Sequence, residues 1–249
     1  MAFNASGVHR TGYIGKLHVD GDGKPGFVPH GWRRRGFSFF EGFNRGHFYF
    51  NGSSYTNEGK LIEVEGYQPT YQTDRAIHFM SSTSSEPFFL MLSWGPPHHP
   101  FTPPEEYKGR QRTLKWPPNV PEPLRGANQS ALIGGYLGLC ESLDAEFGRL
   151  LNYIDGSAHA ESSLVIFTAD HGDTLFSHGD KANSFFTESW AVPVMLRFPR
   201  PWRHQQHGPI DSLDSSASRH EHRPGVDFDH PLSLAGLSCE PRDAAGSCC

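Results

Sequence analysis

Four short stretches of this 249-residue chain combine residue types that could do chemistry together. Leu164-Val-Ile-Phe-Thr-Ala runs straight into Asp170-His171-Gly172-Asp173. An apolar, β-branched run that meets a carboxylate and an imidazole predicts a buried strand delivering two metal-type ligands at its C-terminal end. In open α/β sheets, ligands bind at that end. Hard cations such as Ca2+ take oxygen donors, and the imidazole also suits a transition metal. The plainer account of the pair is an aspartate capping the next turn, beside a surface histidine. Gly15-Lys16-Leu17-His18 sets a lysine and a histidine two apart. On an extended segment both point one way, and both could donate to an anionic oxygen. Pro96-Pro97-His98-His99-Pro100 fixes a histidine between prolines, suited to acid–base work or to packing on Trp94 or Phe101. Ser177-His178-Gly179-Asp180-Lys181 brings a lysine soon after the carboxylate–imidazole pair. Such a point charge could neutralise a tetrahedral oxyanion. Each stretch also has an ordinary account as a solvated loop.

The elements that would position these residues follow from periodicity. Residues 1–70 are rich in glycine, arginine and aromatics, and read as irregular loops with short strands such as Leu61-Ile-Glu-Val. From Thr70, the spacing of Thr73, Ala76, Ile77 and Met80 predicts a helix capped near Thr70 or Thr73. Phe88-Phe-Leu-Met-Leu-Ser-Trp94 is an apolar run of strand length, expected to be buried on both faces. The prolines of 102–127 suggest a surface excursion. Residues 131–155 form the clearest helix. Leu132, Tyr136, Leu139, Leu143, Phe147, Leu150 and Ile154 step by three and four, and Gly156 supplies a stop. Val192-Pro-Val-Met-Leu-Arg-Phe198 is a further strand, its proline at the start or on an edge. Helix then strand, twice over, indicates an α/β domain with a largely parallel sheet.

Composition excludes several classes. The net charge of −5 leaves no basic footprint for nucleic acid. No apolar run approaches the roughly 20 residues of a membrane helix. No basic start followed by an apolar segment marks a signal peptide, so the compartment stays open. Sequons at Asn4, Asn51 and Asn128 hint only weakly at a secretory route. The four cysteines show no zinc spacing, and Cys140 reads as a small core residue. Metal capture through His204, His207, His220 and His222 of the tail matches no ligand motif.

The order of the motifs is more specific than any one of them. T-G-Y-I-G-K-L-H, F-F-L-M-L-S-W-G-P-P-H-H-P-F, L-G-L-C-E-S-L-D-A-E-F-G-R-L-L and F-T-A-D-H-G-D-T-L-F-S-H-G, followed by E-S-W-A-V-P-V-M-L-R-F-P, together resemble the sulfatase family of the alkaline-phosphatase-like superfamily. The resemblance covers about residues 8–200. It implies an alkaline-phosphatase-like α/β fold, with a largely parallel sheet flanked by helices. Residues 1–200 would be a sulfatase-like catalytic domain, and 201–249 a polar, His- and Ser-rich tail with little order. In that family a formylglycine, made from cysteine or serine, attacks sulfur as its hydrate, and a divalent cation, usually calcium, holds the sulfate. Carried over by position, Asp170 and His171 would ligate the metal. Lys16 and Lys181 would bind sulfate oxygens, His18 would assist the attacking hydroxyl, and His98, a better match than His99, would serve the leaving oxygen. His178 is a further candidate. The substrate would be a small-molecule or glycan sulfate ester.

The departures from the family pattern carry expectations of their own. The family's paired aspartates and its C/S-x-P/A-S-R nucleophile belong upstream of G-K-x-H, which begins here at Gly15. Cys239-Glu-Pro-Arg242 is a coincidental likeness. The spacing to Lys181 is short, and Leu17 replaces the usual tryptophan. The fold is therefore expected to be incomplete, with unpaired strand backbone and exposed apolar surface. The chain is expected to hold a hard cation poorly and to turn over weakly or not at all. Two alternatives remain: a phosphodiesterase or phosphonate monoester hydrolase of the same superfamily, and a pseudo-enzyme that binds sulfate without turnover.

Overall fold

The computed structural model describes residues 10–21, 23, 25–83, 86–110, 115–179 and 185–199. Lys181 and the tail from 201 onward lie outside the described residues. Seven strands and three α-helices are described: β1 Arg10–Lys16, β2 Phe39–Phe43, β3 Ser53–Tyr55, β4 Leu61–Glu63, α1 Gln68–Ser81, β5 Phe88–Ser93, α2 Ala127–Asp155, β6 Val165–Thr168, α3 Thr187–Trp190 and β7 Val194–Arg197.

The α/β class holds, with a mixed sheet. Five strands run in the order β4-β3-β2-β1-β5. β1 pairs parallel with β2 and with β5, while β2–β3 and β3–β4 are antiparallel. The crossover through α1 returns the chain beside β1, as a helical connection between parallel strands requires. β6 does not join this sheet. It pairs antiparallel with β7, so the expected run of parallel strands stops at three.

β1 is the strand that sequence reasoning passed over. R-T-G-Y-I-G-K holds two glycines and two charges, yet Thr11 to Gly15 are all buried. Its pleat divides two cores. Ile14 faces α1 and α2, among Ala76, Phe79, Met80, Leu150 and Ile154. Tyr13 lies on the other face with Val28 and Phe40. Burying each such large side chain contributes roughly 1.5–3 kcal/mol.

α1 begins two residues before Thr70. Pro69, whose φ is pre-set for a first turn, opens it, and no side chain caps it. Thr73 is inside, where its hydroxyl donates to the Pro69 carbonyl at 2.9 Å. α2 keeps the stop at Gly156 and starts earlier, at Ala127. Its apolar stripe buries Leu139, Leu143, Leu150 and Ile154. A partly buried ion pair ties α1 to β2: Glu41 accepts from Arg75 Nε at 2.6 Å and from the Tyr71 hydroxyl at 2.7 Å.

β5 and β6 are less buried than their composition suggests. Met91 is 46% exposed and Ile166 is 58% exposed. Each strand has a described neighbour on one side only, so full burial of both faces is not reached.

Candidate functional site

Three strands end together. The register Lys16↔Phe43, Gly15↔Gly42 and Gly15↔Ser93 brings the carboxyl ends of β1, β2 and β5 to one edge. Gly15 makes this approach possible. Its φ is +114°, and a Cβ there would lie 2.0 Å from the Ser93 carbonyl oxygen. One residue on, the Lys16 carbonyl accepts from the hydroxyls of Tyr13, at 2.6 Å, and Ser93, at 2.9 Å. The lysine backbone is fixed before its side chain begins.

The side chain then meets a histidine that the sequence did not single out. Lys16 Nζ lies 3.2 Å from His47 Nε2. The His47 ring stacks on His98, with centroids 3.7 Å apart and planes 7° from parallel. Tyr49 closes the group. Its hydroxyl donates to the carbonyls of Gly95, at 3.3 Å, and His98, at 2.5 Å, which pins the proline loop. His98 Nδ1 donates to the His99 carbonyl at 2.6 Å. His99 turns instead to the edge of Phe101, 5.7 Å between centroids. The two neighbouring histidines thus separate into one inside the cluster and one packed on an aromatic ring.

Electrostatics links the pieces. Burial lowers the pKa of Lys16; the charge of Asp170 opposes this shift and that of Arg45 adds to it. His47 is pushed down to about 3, by burial first and then by Lys16, His98, His18 and His99. Charges from three strand ends and from the segment after β6 therefore act at one place. His18 reaches it by an unexpected route. β1 ends at Lys16 and His18 has φ +57°, so strand alternation does not set its direction. Its amide donates to the Asn44 carbonyl at 2.6 Å.

Asp170 and His171 stand at the end of β6 and are largely exposed, their side chains at 90% and 60%. Asp170 Oδ1 accepts from the His171 amide at 3.0 Å, so the turn-capping arrangement is present. His171 Nδ1 donates to the Gly172 carbonyl at 2.7 Å. This leaves the lone pair on Nε2, which lies 3.8 Å from Asp170 Oδ2. A backbone carbonyl on the far nitrogen is the usual second partner of a metal-bound histidine. Calcium takes six to eight oxygen donors. Among the described residues no third His, Cys, Asp or Glu joins this pair. The described residues thus fit two ligands of a cation and fall short of a calcium shell. The one cysteine among them, Cys140, lies in α2 with its thiol pushed up to about 11 by burial. It has no place in this cluster.

Gly172 has a clear structural duty. A Cβ there would sit 2.0 Å from the Glu188 carbonyl oxygen, because the segment packs against α3. His178 belongs to that neighbourhood. It stacks on Phe186 at 3.7 Å and lies 3.1 Å from Glu188 Oε1, which also accepts from Asn119 at 2.6 Å.

Lys16, His47 and His98 gather at the carboxyl edge of three parallel strands, the end at which open α/β sheets bind ligands. The chain belongs to the sulfatase family, whose family model matches residues 2–220. It is 27% identical over 206 residues to the Ulvan-active sulfatase of Formosa agariphila, covering 79% of this chain and 40% of that protein. The crystal structure of the sulfatase yidJ from Bacteroides fragilis superposes with a TM-score of 0.71 at 23% identity, covering 80% of this chain and 48% of that one. A protein solved in complex with its substrate D-glucosamine-2-N,6-O-disulfate gives 0.66 at 18% identity, over 80% and 55%. The chain spans about half the length, or less, of most relatives it matches.

Proposed function

We propose that this chain forms the sulfate-recognising and leaving-group side of a sulfate-ester hydrolase that acts on a sulfated sugar. The observation that supports it is the convergence of Lys16, His47 and His98, with His18 and Asp170 in electrostatic reach, at one sheet edge in a chain of this family. The sugar is proposed because one structural relative holds a disulfated glucosamine as its substrate.

Lys16 would hold a sulfate oxygen as a point charge. His98 would serve the ester oxygen. Its Nδ1 proton is engaged by the His99 carbonyl, so an imidazolium carries its second proton on Nε2. Transfer of that proton to the leaving oxygen releases a neutral alcohol instead of an alkoxide. His18 would exchange a proton with the attacking hydroxyl. Lys181 would be a second sulfate contact. A divalent cation would stabilise charge on the sulfate oxygens when bound, with Asp170 and His171 as two of its ligands. Asp170 and His171 alone do not complete that cation's shell among the described residues.

Calorimetric titration of the 249-residue chain with inorganic sulfate and with glucosamine 6-sulfate tests this function. Binding is expected, with a loss of roughly 10- to 100-fold in Lys16→Ala, the range of one charge-assisted hydrogen bond. Turnover of an aryl sulfate by this chain is expected to be very weak or nil. Equal affinity in wild type and Lys16→Ala, or a clear preference for an aryl phosphodiester, would refute the proposal.

A further inference from the structure

The geometry points to His47 as a positioning residue of this site: a neutral imidazole that accepts from Lys16 and carries the ring of His98 on its face. This inference rests on the function proposed above and adds a residue to it. Three observations support it.

The first is the direction of the hydrogen bond. An ammonium is only a donor, so at 3.2 Å His47 Nε2 must be the acceptor. The ring is therefore neutral and its proton sits on Nδ1. The second is that His47 Nδ1 is buried with no hydrogen-bond partner among the described residues. A buried donor left unpaired is costly and calls for an explanation. Here the ring orientation that strands Nδ1 is the one that both receives Lys16 and lies flat under His98. The third is the rigidity of the segment that presents the ring. At one end Asn44 is buried, its Nδ2 donating to the Gly21 carbonyl at 2.7 Å and its Oδ1 accepting from the Asp20 amide at 3.1 Å. At the other end Tyr49 is 3% exposed, and its carbonyl accepts from the Gln68 amide at 2.8 Å. A site group held on both sides by buried anchors keeps its geometry when the ligand arrives.

The consequence is specific. The acceptor on His47 limits the rotamers of the Lys16 side chain, and the stack limits those of His98. Both groups then meet the sulfate ester already oriented, which lowers the entropic cost of binding. The groups facing His47 are Lys16 and His18 from β1 and its extension, and His98 and His99 from the loop after β5.

The test separates the acceptor from the ring. His47→Phe keeps a stacking surface and removes the acceptor. His47→Gln places an oxygen near the Nε2 position, and His47→Asn places one near Nδ1. Sulfate titration is expected to show about a tenfold loss in His47→Phe and His47→Asn, with His47→Gln within threefold of wild type. Carbon-13 NMR of the Lys16 side chain gives a second readout that needs no ligand. Its titration is expected to move to lower pH in His47→Phe and to return in His47→Gln. Wild-type sulfate affinity in His47→Phe, or in both Asn and Gln variants, would overturn the inference. If wild type itself binds no sulfate, the proposed function fails. The lysine titration still decides whether His47 holds Lys16: an unchanged titration in His47→Phe overturns the inference, and a shift reversed by Gln supports it.

Discussion

Lys16 is held from two directions before any ligand arrives, its carbonyl by Tyr13 and Ser93 and its ammonium by His47. The same burial that stiffens it makes the site sensitive to acid. His47 in the folded chain titrates at about 3, against an ordinary value near 6.5. Between those two values the unfolded chain takes up a proton that the folded chain refuses. Stability from this residue is therefore complete above about pH 6.5 and declines as pH falls toward 3. Urea unfolding of wild type and His47→Phe at pH 7 and pH 4.5 should show a smaller acid loss in the variant. Equal losses would mean that the ring protonates in the folded state. Lys16, His98, Asp170 and His171 were legible as candidates because each sits in a motif with neighbours of a recognisable kind. His47 sits in G-H-F-Y-F with no period and no partner within reach along the chain, so its role exists only in the contact with residues 16 and 98.

At the scale of elements, two glycines show how the same residue type serves opposite ends. Gly172 follows Asp170-His171 and touches the Glu188 carbonyl, where a methyl group would overlap backbone that cannot swing away. Gly148 lies inside α2 with open space around its Cα. Gly172→Ala is expected to destabilise the chain by about 1–3 kcal/mol through overpacking. Gly148→Ala is expected to stabilise it by about 0.5–1 kcal/mol through helix entropy. Thermal midpoints of the two variants check the opposite signs. The helices were legible because their stripes are long and regular. β1 was not, since its glycines and charges hide a strand whose burial comes from β2, β5 and the two cores on either face. The end of the helix–strand pattern was misjudged for a related reason. An apolar run such as that of β6 states that a strand forms, while its direction and partner depend on β7.

For the whole molecule, the main consequence is a divided sheet. β5 and β6 both pack on the α1–α2 core, through Leu90, Leu92 and Val165, yet belong to separate sheets. Among the described residues, the outer edge of β5 and one edge of β6 carry no paired strand. Met91, Leu164 and Ile166 are exposed beside those edges. Open strand backbone next to apolar side chains favours pairing with another chain. The chain is expected to self-associate as concentration rises, and the double substitution Met91→Lys with Ile166→Lys is expected to suppress this without lowering the thermal midpoint. Light scattering after size exclusion, across a concentration series, measures the effect; a wild-type chain that stays monomeric throughout would count against it.

What the sequence determined by itself was local and ordered. It set the two long helices through their apolar periods, the strand-forming runs before Ser93 and Thr168, and the succession of motifs that marks the sulfatase family. Those properties depend on neighbours a few residues apart, which a linear pattern records. The tertiary structure decided which strand lies at the centre, which of two adjacent histidines enters the site, and that His47 joins it. It also decided that β6 pairs with β7 and stands outside the parallel strands. These outcomes rest on contacts between residues tens of positions apart. Their energies depend on burial and on the direction of single hydrogen bonds, and neither exists until the chain has folded.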